Sequence, residues 1–501
     1  MKAIRDYYAI LGVTPDADIE AIQTAYRHAA QRLHPDTNPN PAAALQFRDV
    51  AEAYKVLGNE QSRAEYDRAL RQQGGIPTYF STYVTPSRRA LRVLDEPQVL
   101  YILVEIAPNP RYALRAEEGA PLNLALVVDR STSMKGTRLD RVKQAVYRII
   151  DTMRPDDILA LISFSDRAEV VFEPTSVQEK SALKALVSMM QASGGTEIFQ
   201  GMQEGVRQLR RAFDRKRVNH LILLTDGQTY GDEEKCLRLA HEISLEGISI
   251  SAMGIGEEWN DAFLDDLASR TGGTSTYINS PAVIEQFLNK QVRSLGDAFV
   301  ERLQLSVAPD ADIVLEDAFK ITPSAQPLPA KLPSIPLGSL ESNQSIHVIL
   351  QLQVPPLSEE GFRTVLRLDV TGDVLSADEV GYKVVSDLSV EVAQTAEQES
   401  PPVAIMEALG KLTLYRMQAK AQEAILRGDI FQATRQLENL ATRLFENGQE
   451  ALAHAALAEA RRVARTTMLS EEGQKKLKYG TRALLLPAPG MDIPEQPSSQ
   501  E

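Results

Sequence analysis

The run Leu-Asn-Leu-Ala-Leu-Val-Val at residues 122–128 decides the fold of the centre of this chain. It is followed at once by Asp-Arg-Ser-Thr-Ser at 129–133, and a second run, Leu-Ile-Leu-Leu-Thr at 221–225, is followed by Asp226. Continuous hydrophobic runs of this length are typical of parallel strands that are buried on both faces. Ligands of such sheets bind beyond the carboxyl ends of the strands, so polar residues at both ends indicate a binding site.

The segments between and after these strands alternate between helix and strand. Apolar residues at helical spacing predict a helix at Arg138–Met153, and short apolar runs predict further strands, including Ile158–Phe164. Residues 168–172 are expected to pair antiparallel with that strand at an edge of the sheet. A glycine-rich loop, Gly194-Gly195-Thr196, precedes another predicted helix. Residues 120–296 are therefore predicted to form a doubly wound α/β domain.

The polar residues at these strand ends carry oxygen atoms. Carboxylates and hydroxyls at one rim of a sheet favour a hard divalent cation, which takes oxygen ligands. The pattern Asp-x-Ser-x-Ser, a distant threonine and a distant aspartate closely resembles the metal-ion-dependent adhesion site of the von Willebrand factor A family. The residues that carry this resemblance are Asp129, Ser131, Ser133, Thr196 and Asp226.

The resemblance implies how such a site works. The serine and threonine hydroxyls would bind Mg²⁺ (or Mn²⁺ or Ca²⁺) directly, and the aspartates would bind it directly or through water. One coordination position would stay open for an Asp or Glu carboxylate of a protein partner. An alternative remains, because Asp129 and Ser131 are also residue types that cap the helix after a strand.

Other chemistries find little support in this domain. There is no Gly-x-x-x-x-Gly-Lys phosphate loop, and Ser131 lacks the glycines of a nucleophile elbow. His220 and His241 do not have metal-ligand spacing, and Cys236 is expected to be a packed thiol. We therefore expect that the protein is not itself an enzyme.

The first 72 residues predict three main helices, at Asp18–Leu33, in the stripe that ends at Leu57, and at Gln61–Leu70. Several stretches, in order, closely resemble the J-domain (DnaJ-like) family of co-chaperones: Asp-Tyr-Tyr-Ala-Ile-Leu-Gly-Val at 6–13, Ala-Tyr-Arg at 25–27, His-Pro-Asp at 34–36, Phe47, Ala-Tyr-Lys-Val-Leu at 53–57 and Arg-Ala-Glu-Tyr-Asp at 63–67.

In that family the tripeptide and the basic face of the preceding helix dock on a DnaK-type chaperone and stimulate its ATP hydrolysis. The resemblance assigns this docking to His34, Pro35 and Asp36, with Arg27 and Arg32 as the helix cations. Residues 1–72 hold nine Lys and Arg against ten Asp and Glu, a net charge of −1. Thr37 stands where the family commonly has a lysine, so we expect weak electrostatic steering.

The remaining segments complete the expected architecture. Residues 73–79 have linker composition, and strand-like segments in 80–119 and 297–395 predict a split β-sandwich into which the α/β domain is inserted. After Pro401-Pro402, residues 400–485 predict an α-helical bundle, and the proline-rich residues 486–501 are expected to be disordered. The fold class is thus multidomain.

Composition limits the setting in which the protein works. A net charge of −14 argues against nucleic acid as a main partner, and a single cysteine, Cys236, excludes an intrachain disulfide. The first residues show no apolar signal region, and no run approaches the ~18 apolar residues that a membrane span needs. We expect a soluble, cytoplasmic, bacterial protein.

The two resemblances together predict a co-chaperone whose adhesion-type domain selects a client or complex through Mg²⁺. An alternative is a scaffold or assembly protein in which metal-dependent protein binding is primary and the J-domain is regulatory. A third reading, a metal-dependent hydrolase, lacks any general base near the motif.

Overall fold

The computed structural model describes residues 5–73, 76–113, 119–228, 231–256, 258–395 and 400–485. The N-terminal domain is helical, and its core contains Ile22, Leu33, Val50 and Leu57. Asp18 begins the second helix by accepting a hydrogen bond from Ala21 N (2.7 Å). The helices are α1 (Tyr7–Leu11), α2 (Ile19–Leu33), α3 (Pro41–Leu57) and α4 (Glu60–Gln73).

Arg63 connects motif residues from the two ends of the N-terminal domain. Its guanidinium donates to the hydroxyl of Tyr8 (Nε, 2.8 Å) and to the carbonyl oxygen of Ala17 (Nη2, 2.8 Å). The Tyr8 hydroxyl in turn donates to Asp67 (2.8 Å). These bonds hold α4 against the start of the domain.

The next segment supplies the first strands of the sandwich: β1 (Phe80–Pro86), β2 (Ala90–Arg92), β3 (Gln98–Pro108) and the single-turn helix α5 (Pro110–Ala113). Strand β1 pairs antiparallel with β3. Tyr79, which we placed in a linker at 73–79, packs in the sandwich core, so the core begins one residue before β1. Residues 74 and 75 of that linker lie outside the described residues.

The central α/β domain has a six-stranded sheet with the order β6-β5-β4-β7-β8-β9. All neighbours are parallel except β5 and β6, which pair antiparallel at the edge. A short 3-10 helix, Thr132–Met134, follows β4. The elements are β4 (Leu122–Asp129), α6 (Thr137–Thr152), β5 (Ile158–Phe164), β6 (Ala168–Ser176), α7 (Lys180–Ser188), α8 (Ile198–Arg211), β7 (Val218–Thr225), α9 (Glu233–Glu246), β8 (Ser249–Ile255), α10 (Asp261–Ser269), β9 (Ser275–Ile278) and α11 (Ile284–Gly296).

Helix α8 lies directly on the sheet because two of its inward positions are glycines. A Cβ at Gly201 would lie 2.7 Å from the Phe164 ring and 3.0 Å from the Val127 side chain, and one at Gly205 would lie 2.6 Å from Val127. The helix begins two residues after Thr196, so this close packing fixes Thr196 at the carboxyl edge of the sheet.

The chain then returns to the sandwich. Its two five-stranded sheets have the orders β1-β3-β14-β11-β12 and β13-β10-β15-β16-β2, and their inner faces share one apolar core. The α/β domain is thus inserted between β3 and β10. The later strands are β10 (Ala298–Pro309), β11 (Val314–Thr322), β12 (Gln326–Pro327), β13 (Ile335–Glu341), β14 (Ile346–Val354), β15 (Gly361–Val374) and β16 (Glu379–Ala393).

The C-terminal helices form a core of their own that contains Leu437, Leu444, Val463 and Leu477. They are α12 (Val403–Leu426), α13 (Ile430–Glu446), α14 (Glu450–Thr466) and α15 (Glu471–Ala483). The tail that we expected to be disordered, 486–501, lies outside the described residues. In the part of the chain that the structure describes, no helix has the length and hydropathy to cross a membrane.

Candidate functional site

Asp129 and Asp226 meet at the carboxyl edge of the central sheet. Asp129 is the last residue of β4, and Asp226 directly follows β7, the parallel neighbour of β4. Both residues are fully buried. Two strands that were predicted from separate apolar runs therefore bring two carboxylates, 97 positions apart in sequence, to one rim.

Three oxygen atoms form a continuous row at this rim. The hydroxyl oxygens of Ser131 and Ser133 lie 2.9 Å apart, and the Ser133 hydroxyl donates to Asp226 Oδ1 (2.7 Å). Ser131 stands at the start of the short 3-10 helix, but its side chain makes no capping hydrogen bond there. The capping interpretation of Ser131 therefore finds no support in its contacts.

The glycine-rich loop brings Thr196 to the same place. Ser193 N donates to Arg130 O (2.7 Å), and Thr132 N donates to Gly194 O (3.1 Å), so this loop is tied to the loop after β4. A Cβ at Gly227 would lie 3.1 Å from Thr196 Oγ1, which places that hydroxyl beside the residue after Asp226. All five side chains that the sequence singled out thus lie at one rim.

Asp129 is held by hydrogen bonds on both of its carboxylate oxygens. Ser131 N donates to Oδ1 (2.8 Å), and the Thr225 hydroxyl donates to Oδ2 (2.7 Å). Burial raises the pKa of Asp129 to about 6, the hydrogen bonds from Ser131 and Thr225 lower it, and the nearby Asp226 carboxylate raises it. Thr225 is a site residue that sequence reasoning missed, although a threonine that ends an aliphatic strand was a visible signal.

Arg138 is the second residue that sequence reasoning missed. Its Nη1 donates to Asp226 Oδ2 (2.5 Å) and to Ser133 O (3.4 Å), and about a third of its side chain (34%) is exposed. It lies in the first turn of α6, directly after the serine motif. By contrast, Arg130 pairs with Glu169 (2.9 Å) and donates to Ser193. A cation therefore already neutralises one of the two buried carboxylates.

The residues at this rim fit a hard cation. Every side chain of the predicted ligand set offers oxygen, and the row from Ser131 to Asp226 places three oxygens next to one another. Within the described residues there is no group of three or more His, Cys, Asp or Glu that could hold a metal ion. A cation at this rim would therefore depend on the hydroxyl oxygens as well as the two carboxylates.

The His-Pro-Asp loop lies between α2 and α3. Pro35 and Asp36 are exposed, and His34 is half-buried with its ring edge against Phe47 (5.2 Å between ring centres). The His34 Nδ1 accepts a hydrogen bond from Asp36 N (3.2 Å). The Thr37 hydroxyl lies 2.9 Å from Gln31 O and 3.1 Å from His34 O. Local bonds thus order the loop while the tripeptide reaches the surface.

The two predicted docking cations differ in their surroundings. Arg27 is exposed and donates to Gln23 O (3.4 Å), whereas Arg32 lies 3.7 Å from each of two sandwich carboxylates, Asp310 and Asp387. Asn38 was missed by sequence reasoning: it is buried, and its amide donates to Arg32 O (3.0 Å) and to Pro309 O (3.0 Å).

Three family models match the chain. Residues 6–67 match the DnaJ domain, and residues 123–290 match the von Willebrand factor type A domain. The chain joins a DnaJ domain to a von Willebrand factor type A domain. Residues 403–487 match the Sll0103-like, C-terminal alpha-helical domain. The predicted DnaJ and von Willebrand factor A domains and the multidomain fold class are confirmed, whereas the metal-ion-dependent adhesion site stays a prediction.

Individual proteins show how far each likeness extends. The chain is 28% identical over 378 residues to the Synechocystis sp. protein named "Uncharacterized protein sll0103", covering 73% of this chain and 89% of that one. Over 65 residues it is 52% identical to the Curved DNA-binding protein of Escherichia coli O1:K1, covering 13% of this chain and 21% of that protein. Because the second match spans about a fifth of that relative, its DNA binding is not carried over.

A solved structure shows the same fold over most of the chain. It is the von Willebrand factor type A protein from Catenulispora acidiphila, with a TM-score of 0.65 and 18% identity. The likeness covers 80% of this chain and 96% of that one. The ligand role of the five oxygen-bearing residues and the docking role of the tripeptide stay predictions.

Proposed function

We propose that this protein is a co-chaperone that brings a DnaK-type ATPase to a protein partner chosen by its von Willebrand factor A domain. His34, Pro35 and Asp36, with Arg27 and Arg32, would stimulate the ATPase. The observation that carries this proposal is a DnaJ domain with Pro35 and Asp36 exposed, in the same chain as an oxygen-lined rim. We propose a binding protein and not an enzyme.

The rim would bind its partner through a divalent cation, Mg²⁺ or a substitute such as Mn²⁺ or Ca²⁺. Ser131, Ser133 and Thr196 would hold the cation with hydroxyls, while Asp129 and Asp226 would anchor it directly or through water. When bound, Mg²⁺ supplies a positive charge with an open position that favours an incoming Asp or Glu carboxylate. The hydroxyls contribute no charge, so the cation keeps more of its attraction for that carboxylate.

The chaperone half of the proposal is tested with His34→Gln in the full-length protein. We expect the stimulation of a DnaK-type ATPase to fall to background, because the imidazole that accepts from Asp36 N and packs on Phe47 is lost from the proposed docking loop. His454→Gln is the matched control, since His454 lies exposed on α14, outside the DnaJ domain. Stimulation by His34→Gln equal to that of the wild-type protein would refute the co-chaperone role.

A scaffold or assembly protein is the second candidate. It would use the same rim, with metal-dependent binding as its main activity and the DnaJ domain as a regulator. Partners retained from a native lysate with Mg²⁺, and lost with a chelator, distinguish the two. Release by ATP and the chaperone favours the co-chaperone, whereas a stoichiometric complex that ATP leaves intact favours the scaffold.

A further inference from the structure

The DnaJ domain is seated on the outer face of one sandwich sheet, against β10, β15 and β16. The amide of Gln46, on α3, donates to Ser306 O (3.2 Å), and the guanidinium of Arg367 donates to Ile10 O. Ala308 and Val385 join the apolar core of the DnaJ domain. The contact thus includes α1 and α3, and the hydrogen bond from Asn38 to Pro309 O adds the loop after the tripeptide.

Charged groups surround this contact. Lys383 pairs with Asp49 of α3 and with Asp369 of its own sheet (3.1 Å). Arg32, near the end of α2, lies 3.7 Å from Asp310 and 3.7 Å from Asp387. Two sandwich carboxylates therefore already pair with Arg32, one of the two cations expected to bind the chaperone.

The contact is also incompletely satisfied. Among the described residues, four of its buried polar atoms have no hydrogen-bond partner: Arg32 Nε, Gln46 Oε1, Arg367 Nε and Asp369 Oδ1. Burial raises the pKa of Asp369, which shows that the charge is costly to hold there, although Lys383 and Arg367 lower it. Buried polar groups without hydrogen-bond partners weaken an interface, so the DnaJ domain is bound to the sandwich weakly enough to separate from it.

We propose that Asp310 and Asp387 compete with the DnaK-type chaperone for Arg32, so that the sandwich holds the DnaJ domain in a docked state of reduced affinity. This inference rests on the proposed function. A chaperone surface that binds Arg32 must itself be anionic. The two sandwich carboxylates carry the same charge and already lie beside Arg32. Because Pro35 and Asp36 stay exposed, docking changes the affinity for the chaperone and leaves the maximal stimulation intact.

The full-length Asp310→Asn/Asp387→Asn variant tests this competition. Asparagine keeps the side-chain size and removes the charge, so Arg32 loses both carboxylates. Arg367, whose Nη1 also lies 3.7 Å from Asp387, keeps its hydrogen bond to Ile10 O. We expect the concentration for half-maximal ATPase stimulation to fall about threefold to tenfold, the range for the loss of two partly exposed ion pairs, with an unchanged maximum. Glu359→Gln/Glu391→Gln is the matched control, because both residues are exposed and the change in net charge is the same.

Amide hydrogen exchange supplies a second measurement. The double Asp variant should exchange faster than the control at residues 306–309 and along α3, where the two domains meet. Unchanged exchange would overturn the claim that the acidic pair holds the DnaJ domain. Faster exchange with an unchanged half-maximal concentration would overturn the competition. Loss of stimulation in His34→Gln shows separately that the co-chaperone role itself stands.

Discussion

Arg138 is the residue at the rim whose replacement should have the most informative effect. Its guanidinium donates to Asp226 Oδ2 at 2.5 Å, and Asp226 is fully buried. In Arg138→Gln this carboxylate loses its counter-ion, and a cation bound at the rim would supply the missing charge. The substitution should therefore destabilise the metal-free protein and strengthen its binding of Mg²⁺.

The size of the effect follows from the geometry. A hydrogen bond to a charged group contributes about 1.5–3 kcal/mol, and the exposure of Arg138 lowers this to about 1–2 kcal/mol. If the bound cation neutralises Asp226, most of this loss is confined to the metal-free state. The dissociation constant for Mg²⁺ should then fall by about fivefold to thirtyfold.

Isothermal titration calorimetry with Mg²⁺, together with melting temperatures in Mg²⁺ and in chelator, measures both parts. Arg141→Gln is the control, because Arg141 lies exposed on the same helix. An Arg138→Gln protein that binds Mg²⁺ no more tightly than this control would refute the view that Arg138 competes with the cation for Asp226.

Two further predictions concern the domain that carries the rim. Gly201→Ala should lower the free energy of unfolding by about 1–2 kcal/mol, because its Cβ would lie 2.7 Å from the Phe164 ring. Gly410→Ala, at a position with open space around it, should not lower this free energy. Calorimetry of both variants measures the difference. Burial lowers the pKa of His220 to about 3, so below pH 6.5 the unfolded chain takes up a proton that the folded one does not. The free energy of unfolding should thus fall by about 2 kcal/mol from pH 7 to pH 5. Urea unfolding at each pH measures this fall, and the His220→Gln variant should not show it.

Much of the rim could be predicted from the sequence because its framework has strong local signals. Strands β4 and β7 are buried along their whole length, and each contains an aliphatic run, 124–128 in β4 and 221–224 in β7, that is closely followed by a carboxylate, Asp129 or Asp226. Thr225 and Arg138 could not be assigned in this way. Their roles depend on which atoms lie across space from them: the Thr225 hydroxyl donates to Asp129, and the Arg138 guanidinium donates to Asp226.

Strand β13 lies at one edge of its sheet and has weak sequence signals. Strand β13 contains Pro336 and Gly338, which are turn signals, and it pairs with β10 through several register shifts. An edge strand tolerates proline because one of its sides needs no ladder partner. The docking of the DnaJ domain was equally invisible, since Gln46 and Ser306 are 260 positions apart and each alone resembles an ordinary surface residue.

The most direct measurement is a crystal structure with Mn²⁺ in place of Mg²⁺, located by its anomalous scattering. We predict one strong peak about 2.0–2.2 Å from the hydroxyl oxygens of Ser131 and Ser133, with Asp226 turned from Arg138 toward the ion. A rim without a peak at millimolar Mn²⁺, with the guanidinium still on Asp226, would contradict metal-dependent recognition and leave only the DnaJ half of the account.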